Sequence, residues 1–281
     1  MSIFVRTACA VSFFSLFLCG CSARKENAAL EVIYKKYPVD PDASIRINDP
    51  HGSISIRGTD SSEVQLRATK IAGSPDQLKN ISVSVTAQQN DVLIKTNFVR
   101  PKAKPFLGGG DRVDYELSIP RSLKITRLDV DDGKVLIDSV QTSELRANVV
   151  DGQLELRNCS GDIHVAVQNG DLALLYDARE THPSSADARV LHGTLTVSLP
   201  RSAAFHLRAE TTKGNITSAF AQTVEVKGGS LRKIDISLGQ APRSEIQLVV
   251  VSGNIIIADA SAEARTASHG ASGPNSSGNN R

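Results

Sequence analysis

Asp129, Asp131 and Asp132 crowd the positions just before Gly133, and clustered carboxylates suit a hard cation such as Ca²⁺, which takes oxygen ligands. Such a site needs six or more oxygens, and alternation along a strand sends Asp129 and Asp131 to the solvent face. The three read as surface carboxylates, and no metal or cofactor is expected. The histidines His51, His164, His182, His192, His206 and His269 are scattered, with none at ligand spacing. His51 and His192 each precede a glycine, where a polar turn residue belongs. Cys159 reads as a small residue of a turn or core rather than a nucleophile. The sequence contains no G-x-S-x-G elbow, H-E-x-x-H pair, Walker loop or Rossmann fingerprint, and Gly108-Gly109-Gly110 lacks the Lys-Ser/Thr of a phosphate loop. The chain therefore reads as non-enzymatic.

Composition bounds the remaining classes. Of 281 residues, 32 are Lys or Arg and 30 are Asp or Glu, so the formal charge is +2 and gives no footprint for nucleic acid. Trp is absent and aromatic residues make up 4%, which leaves Val, Ile, Leu and Ala to fill the core. The N-terminus has one early cation, Arg6, then the apolar run Ala8 to Leu18, too short to span a bilayer and readable as an export signal. Its end, Leu18-Cys19-Gly20-Cys21, resembles the bacterial lipobox. That resemblance implies cleavage after residue 20, acylation of Cys21 and insertion into the lipid bilayer. Ser22, a non-Asp residue after the lipidated position, is associated with the outer membrane. Several acyl chains satisfy what stable anchoring requires. Of the four Cys, only Cys159 then lies in the folded part, so no intramolecular disulfide is expected.

The elements that would position anything are announced by repetition. Three nine-residue blocks, Asp151 to Cys159, Ser160 to Gln168 and Asn169 to Asp177, each carry a polar residue, Gly, a spacer and alternating apolar residues. The signature returns around Gly52, Gly133, Gly193, Gly214 and Gly253, so Gly52, Gly133, Gly152, Gly161, Gly170, Gly193, Gly214 and Gly253 are assigned as structural turns. Gly133 to Gly214 recur at about 20 residues, and the fold class expected is all-β: a β-solenoid or β-roll of stacked short strands with rungs of that length. Asp-Gly and Asn-Gly between alternating runs also signal hairpins, so an antiparallel β-meander or sandwich stays open as the alternative.

The organisation expected is a lipoprotein signal peptide over 1–20, a tether over 21–43, the β-repeat domain over 44–258 and a disordered tail over 259–281. Ser74-Pro75-Asp76 should cap a short helical turn, and Gln88 to Asp91 should close a hairpin. The stretch from Phe98 to Arg112 reads as a solvated basic loop, and Ala178 to Arg189 as an insertion between rungs. Pro120-Arg121-Ser122 and Pro200-Arg201-Ser202 each follow a strand and precede a turn Gly at similar distance, which suggests an internal duplication.

An export signal, G-x-I-x-I rungs, strand-ending Pro-Arg-Ser and a low-aromatic β domain resemble a bacterial candidate-adhesin domain family, over about Ala43 to Ala258. The resemblance implies a β-solenoid at the cell envelope. The function expected is non-enzymatic: an adhesin-like or structural surface that meets an envelope protein or polysaccharide, and no nucleic acid. Two alternatives are an envelope-stress component that binds a regulatory protein and a carbohydrate-active β-helix enzyme. The thin aromatic content speaks against the enzyme.

Overall fold

The computed structural model describes residues 28–99, 110–177, 183–220, 225–227, 230–239 and 244–260. In chain order these form β1 (Ala29–Pro38), β2 (Ser44–Thr59), β3 (Glu63–Ala72), α1 (Pro75–Leu78), β4 (Ile81–Gln88), β5 (Asp91–Phe98), β6 (Arg112–Pro120), β7 (Lys124–Asp138), β8 (Gln141–Arg157), β9 (Ser160–Leu175), β10 (Ser185–Leu199), β11 (Phe205–Lys213), β12 (Ile216–Ser218), β13 (Glu225–Lys227), β14 (Leu231–Leu238) and β15 (Ser244–Asp259).

The long strands β7, β8, β9 and β10 pair in parallel and in sequence order. That excludes the meander through the centre of the molecule. Only Asn158 and Cys159 separate β8 from β9, yet Gln141, the first residue of β8, lies beside Ser160, the first of β9. A two-residue link reaches back to the strand's own start only if the strand has folded on itself. The inward set shows where. In β8 Leu145, Ala147 and Val149 are buried, and so are Leu154 and Leu156. Val149 and Leu154 are five apart, an odd spacing that would put them on opposite faces of a straight strand. The bend at Asp151-Gly152 turns the second arm so that both arms point into one narrow interior. Each coil is thus two arms, a glycine corner at one edge and a short turn at the other. Ser139 and Asn158 occupy that second edge with φ of 58° and 50°, and Val140 and Cys159 are buried there.

The corners stack. Gly52, Gly133, Gly152, Gly170, Gly193 and Gly253 face one another in successive pairings. At Gly152, φ is 136° and an added Cβ would fall 1.9 Å from the carbonyl oxygen of Gly133, so a side chain is excluded by backbone geometry and by space. Gly214 closes the column, with a Cβ position 1.8 Å from the oxygen of Gly253. Like residues stack inside as well: three positions before each corner Val130, Val149, Val167, Val190 and Val250 form a buried row. The interior is so thin that aliphatic side chains fill it. The large buried rings stand where the coil is interrupted: Tyr115 on β6, Tyr176 just after β9, and Phe205 against Phe220 at the far end, edge to face at 5.5 Å.

Within the parallel stack, strand order departs from sequence order at β6-β2-β7 and β10-β15-β11. In both the chain steps over one rung, and the skipped place is filled from a terminal part of the fold, β2 or β15. The two Pro-Arg-Ser turns are these steps. After Pro120, Arg121 Nε donates to Asp60 Oδ1 at 2.8 Å, just beyond the end of β2; after Pro200, Arg201 Nε donates to Asp259 Oδ2 at 2.6 Å, the last residue of β15. The second repeat seen in the sequence therefore marks a bridge over an inserted strand.

Three expectations are corrected. The tether of 21–43 contains β1, paired antiparallel with β3 from Ala29↔Ala72 to Pro38↔Glu63. It reads as polar because an edge strand leaves much of both faces wet. The insertion ends earlier than Arg189, since Ser185 to Arg189 pair with Asp162 to Ala166 in β10; Pro183 and two Ser hid the small inward residues Ala186 and Ala188. The tail expected from residue 259 is also set one residue early, because Asp259 closes β15. The helical turn and hairpin are present: Ser74 Oγ accepts from Gln77 N at 3.3 Å, and β4 pairs antiparallel with β5.

Candidate functional site: a cleft where the coil is split

One coil shows no glycine corner among the described residues. Outside β2, the first arm is β5, paired with Ser44 to Asn48, and the second is β6, paired with Ile54 to Thr59. Residues 100–109 between those arms lie outside the described residues, and the described column ends with Gly52 against the oxygen of Val113, 1.9 Å from where a Cβ would sit. A cleft of about 640 Å³ opens at this edge, floored by Gly52 and Gly133 and walled by His51, Ser53, Asp111, Arg112, Asp114, Asp132 and Lys134. Strand alternation places His51 and Ser53 one residue before and after the corner, and register places Asp132 and Lys134 beside them.

The charges divide clearly. Asp114 accepts from Ser53 N at 2.9 Å, Ser53 Oγ at 2.7 Å and Arg112 Nε at 3.1 Å. Partial burial pushes its carboxyl up, but these donors outweigh burial and hold it below the ordinary value, so it is ionised and already paired. Asp111 Oδ1 accepts from Gly73 N at 3.3 Å. Lys134 and Asp132 are exposed, and His51 packs against Phe98 with ring centroids 5.6 Å apart.

Beneath the cleft lies a polar cluster in an otherwise aliphatic row. Asp49 takes the position that Val occupies in five following rungs; it is 1% exposed, and neither carboxyl oxygen reaches hydrogen-bond geometry with a partner. Burial is the main reason its pKa is pushed up to about 8, with the negative charges of Asp114 and Asp131 adding to it. Thr96 and the His51 backbone lie near enough to oppose the shift. Thr96 stands next in the row on β5, and its hydroxyl is engaged with the Tyr115 hydroxyl at 2.6 Å. A neutral, sealed acid of this kind shapes the floor of the cleft and does not reach a ligand.

Elsewhere the arginines of the outer faces are paired. Arg127 pairs with Asp129, Arg146 with Glu144, Arg157 with Glu155 and Arg189 with Asp187, each two residues apart on one strand. Asp129 also accepts from Asn148 Nδ2 at 3.1 Å, so Asp129, Asp131 and Asp132 do not converge. Among the described residues no group of three His, Cys, Asp or Glu could hold a metal ion. Burial pushes the Cys159 thiol up to about 12, which keeps it protonated.

Of the glycines assigned from sequence, seven form the corner column and Gly161 stands apart. It opens the first arm of β9, where a Cβ would meet the oxygen of Thr142 at 1.5 Å. The middle nine-residue block is therefore the other arm of a coil. Cys21 lies outside the described residues, as do His182 and His269. Sequence reasoning missed Asp49, Thr96, Asp114, Tyr115 and Lys134 as a group. Alignment of the rungs on their glycines would have exposed Asp49, the one acid in a row of Val and Thr.

These coils, with corners in one register and an interior one side chain deep, define a parallel β-solenoid of glycine-cornered rungs. The chain belongs to the Toastrack DUF4097 family, whose model matches residues 35–258. Among solved structures it is similar to a candidate cell adhesion protein from Clostridium sporogenes, at 14% identity and a TM-score of 0.47, covering 82% of this chain and 100% of that one. It is also similar to a candidate adhesin from Bacteroides fragilis, at 13% identity and a TM-score of 0.34, covering 81% and 97%. A candidate lipid-binding protein from Parabacteroides distasonis matches at 12% identity and a TM-score of 0.26, covering 84% and 96%. No curated protein matches the chain.

Proposed function

We propose that this is a lipid-anchored envelope protein, held through acylated Cys21, that uses its solenoid as a rigid non-catalytic binding surface with the split-coil cleft as the point of contact. One observation carries the reading. The arginines of the regular rungs pair with carboxylates two residues away on their own strands, whereas the cleft beside the split coil has Lys134, Asp132 and His51 at its rim, with no ion pair among the described residues. Residues that need no partner inside the fold are the ones a ligand can use. The mixed charge suits a polar partner, an envelope protein or polysaccharide. The acid and thiol that could do chemistry, Asp49 and Cys159, are both sealed in the interior.

The test is recovery of partners from envelope extracts on the immobilised protein, with Lys134→Glu and His51→Ala as comparison. The reading expects one class of ligand, lost with either variant. Equal recovery with both variants overturns the cleft as the contact. Anchoring is tested separately: Cys21→Ala should move the protein from the membrane to the soluble fraction, and continued membrane fractionation defeats it. Recovery of a single regulatory protein would assign the role to envelope sensing.

A further inference from the structure

The arm of the sheet that runs β1-β3-β6-β2 ends at β1, whose second edge pairs with no strand among the described residues. In its antiparallel pairing with β3, every second residue turns its N–H and C=O away from the sheet, so a ten-residue strand presents an unfilled row of donors and acceptors. Its outer face carries Leu30 at 61% and Tyr34 at 68% exposure, with Val32 between them, and the opposite face sets Ile33 against the core. We propose that this edge is the interface between two copies of the chain, which join antiparallel through β1 about a two-fold axis at Ile33.

Symmetry and charge fix the register. A two-fold axis normal to the sheet pairs residues of the same face, so the partner numbers must add to an even total. With Ile33 on the axis, Glu31 meets Lys35 of the second copy, twice by symmetry. Val32 meets Tyr34 twice on the outer face, and Leu30 meets Lys36. Centring on Val32 instead sets Glu31 against Ile33, and centring on Tyr34 sets it against Tyr37; neither gives Glu31 a cation. Glu31 has capacity for the contact: its Oε2 accepts from Lys70 at 2.7 Å and the other oxygen is left over. Lys35 is exposed and carries no ion pair among the described residues. Charges at an edge often serve to repel further strands. Here the two signs are spaced to match when the strand is reversed on itself. The proposal concerns β1 alone and stands apart from the cleft and the anchor.

The test takes the full chain in detergent, with mass measured by sedimentation as a function of concentration and zero-length carbodiimide coupling read by peptide mass. The expected result is a concentration-dependent dimer and a Glu31–Lys35 amide link. Within one strand these residues lie about 13 Å apart, too far for a link without a spacer, so that product reports two copies. Lys35→Glu sets like charges opposite each other twice and should weaken the dimer by about tenfold or more, with the melting temperature of the monomer unchanged. A chain that stays monomeric at every concentration, or a dimer that Lys35→Glu leaves intact, overturns the proposal. So does protection of β1 amides by anionic vesicles without dimer formation, which would give the strand to a lipid surface.

Discussion

The central rungs β7 to β10 and the split coil of β5 and β6 are built from one plan and end differently. In the centre, a glycine lets each strand fold back within a few residues, Val stacks on Val, and arginines find a carboxylate two residues away. At the split coil the described glycine column ends at Gly52, the stacked Val gives way to Asp49 and Thr96, and the cleft holds Lys134 and Asp132, which have no ion pair among the described residues. Regularity gives rigidity, because each rung is the template for the next. Departure from it gives a surface with side chains left over for a partner.

The sharpest way to break that comparison is to place the same methyl group in each region. Gly152→Ala in the column sets a Cβ 1.9 Å from a neighbouring carbonyl oxygen at φ of 136°, and nothing in backbone contact can give way. A loss of about 4 kcal/mol or more, or failure to fold, is expected by chemical denaturation. Gly110→Ala, at the mouth of the split coil, meets nothing within 4 Å and should change stability by less than about 0.5 kcal/mol. Equal effects at the two sites would remove the distinction between template and opening.

Asp49→Val tests whether the polar row belongs to the split coil or is merely tolerated by it. The folded state raises this carboxyl to about 8 from an ordinary value of 3.8, so between those limits the unfolded chain releases a proton that the folded chain retains. Its contribution is fully present below about pH 4 and is lost as pH rises through 8. Melting of the wild type should thus fall between pH 5 and pH 9, with a linked cost of several kcal/mol at the upper end. Val restores the residue type of the following rungs, and the variant should melt higher at pH 9 with a flatter profile. A wild-type profile that is flat across this range would show the acid to be better solvated than its surroundings indicate.

Much of this was legible before any coordinates. The corners were visible because only glycine tolerates both the backbone angle and the stacked carbonyl, and the solenoid followed from their recurrence near 20 residues. The thin core was visible in the missing aromatics. What could not be read was pairing at a distance: that β2 and β15 fill skipped rungs depends on contacts with strands not adjacent to them in sequence, and local periodicity has no term for these. β1 was missed because an edge strand is half wet and loses the alternation that betrays buried strands. Asp49 escapes a reading from sequence because Asp49-Pro50-His51-Gly52 has turn composition, although the side chain is buried.

The smallest effects separate the two bridges. Arg121 and Arg201 perform the same step over an inserted strand, but Asp60 is 89% exposed and Asp259 only 6%. An exposed pair gains little over its hydrated parts, so Arg121→Ala should cost about 0.5 kcal/mol or less. Arg201 also donates to the oxygen of Ala219 at 2.7 Å and lies over the Phe220 ring at 5.3 Å. Its removal withdraws a charge-assisted bond from a buried carboxylate together with that packing, and about 1–3 kcal/mol is expected. Urea midpoints of the two alanine variants decide between a shared turn motif with unequal work and two equivalent clamps. If Arg121→Ala proves the costlier, the N-terminal inserted strand β2 depends on its bridge more than β15 does, and the burial of the acid is not what sets the strength of these steps.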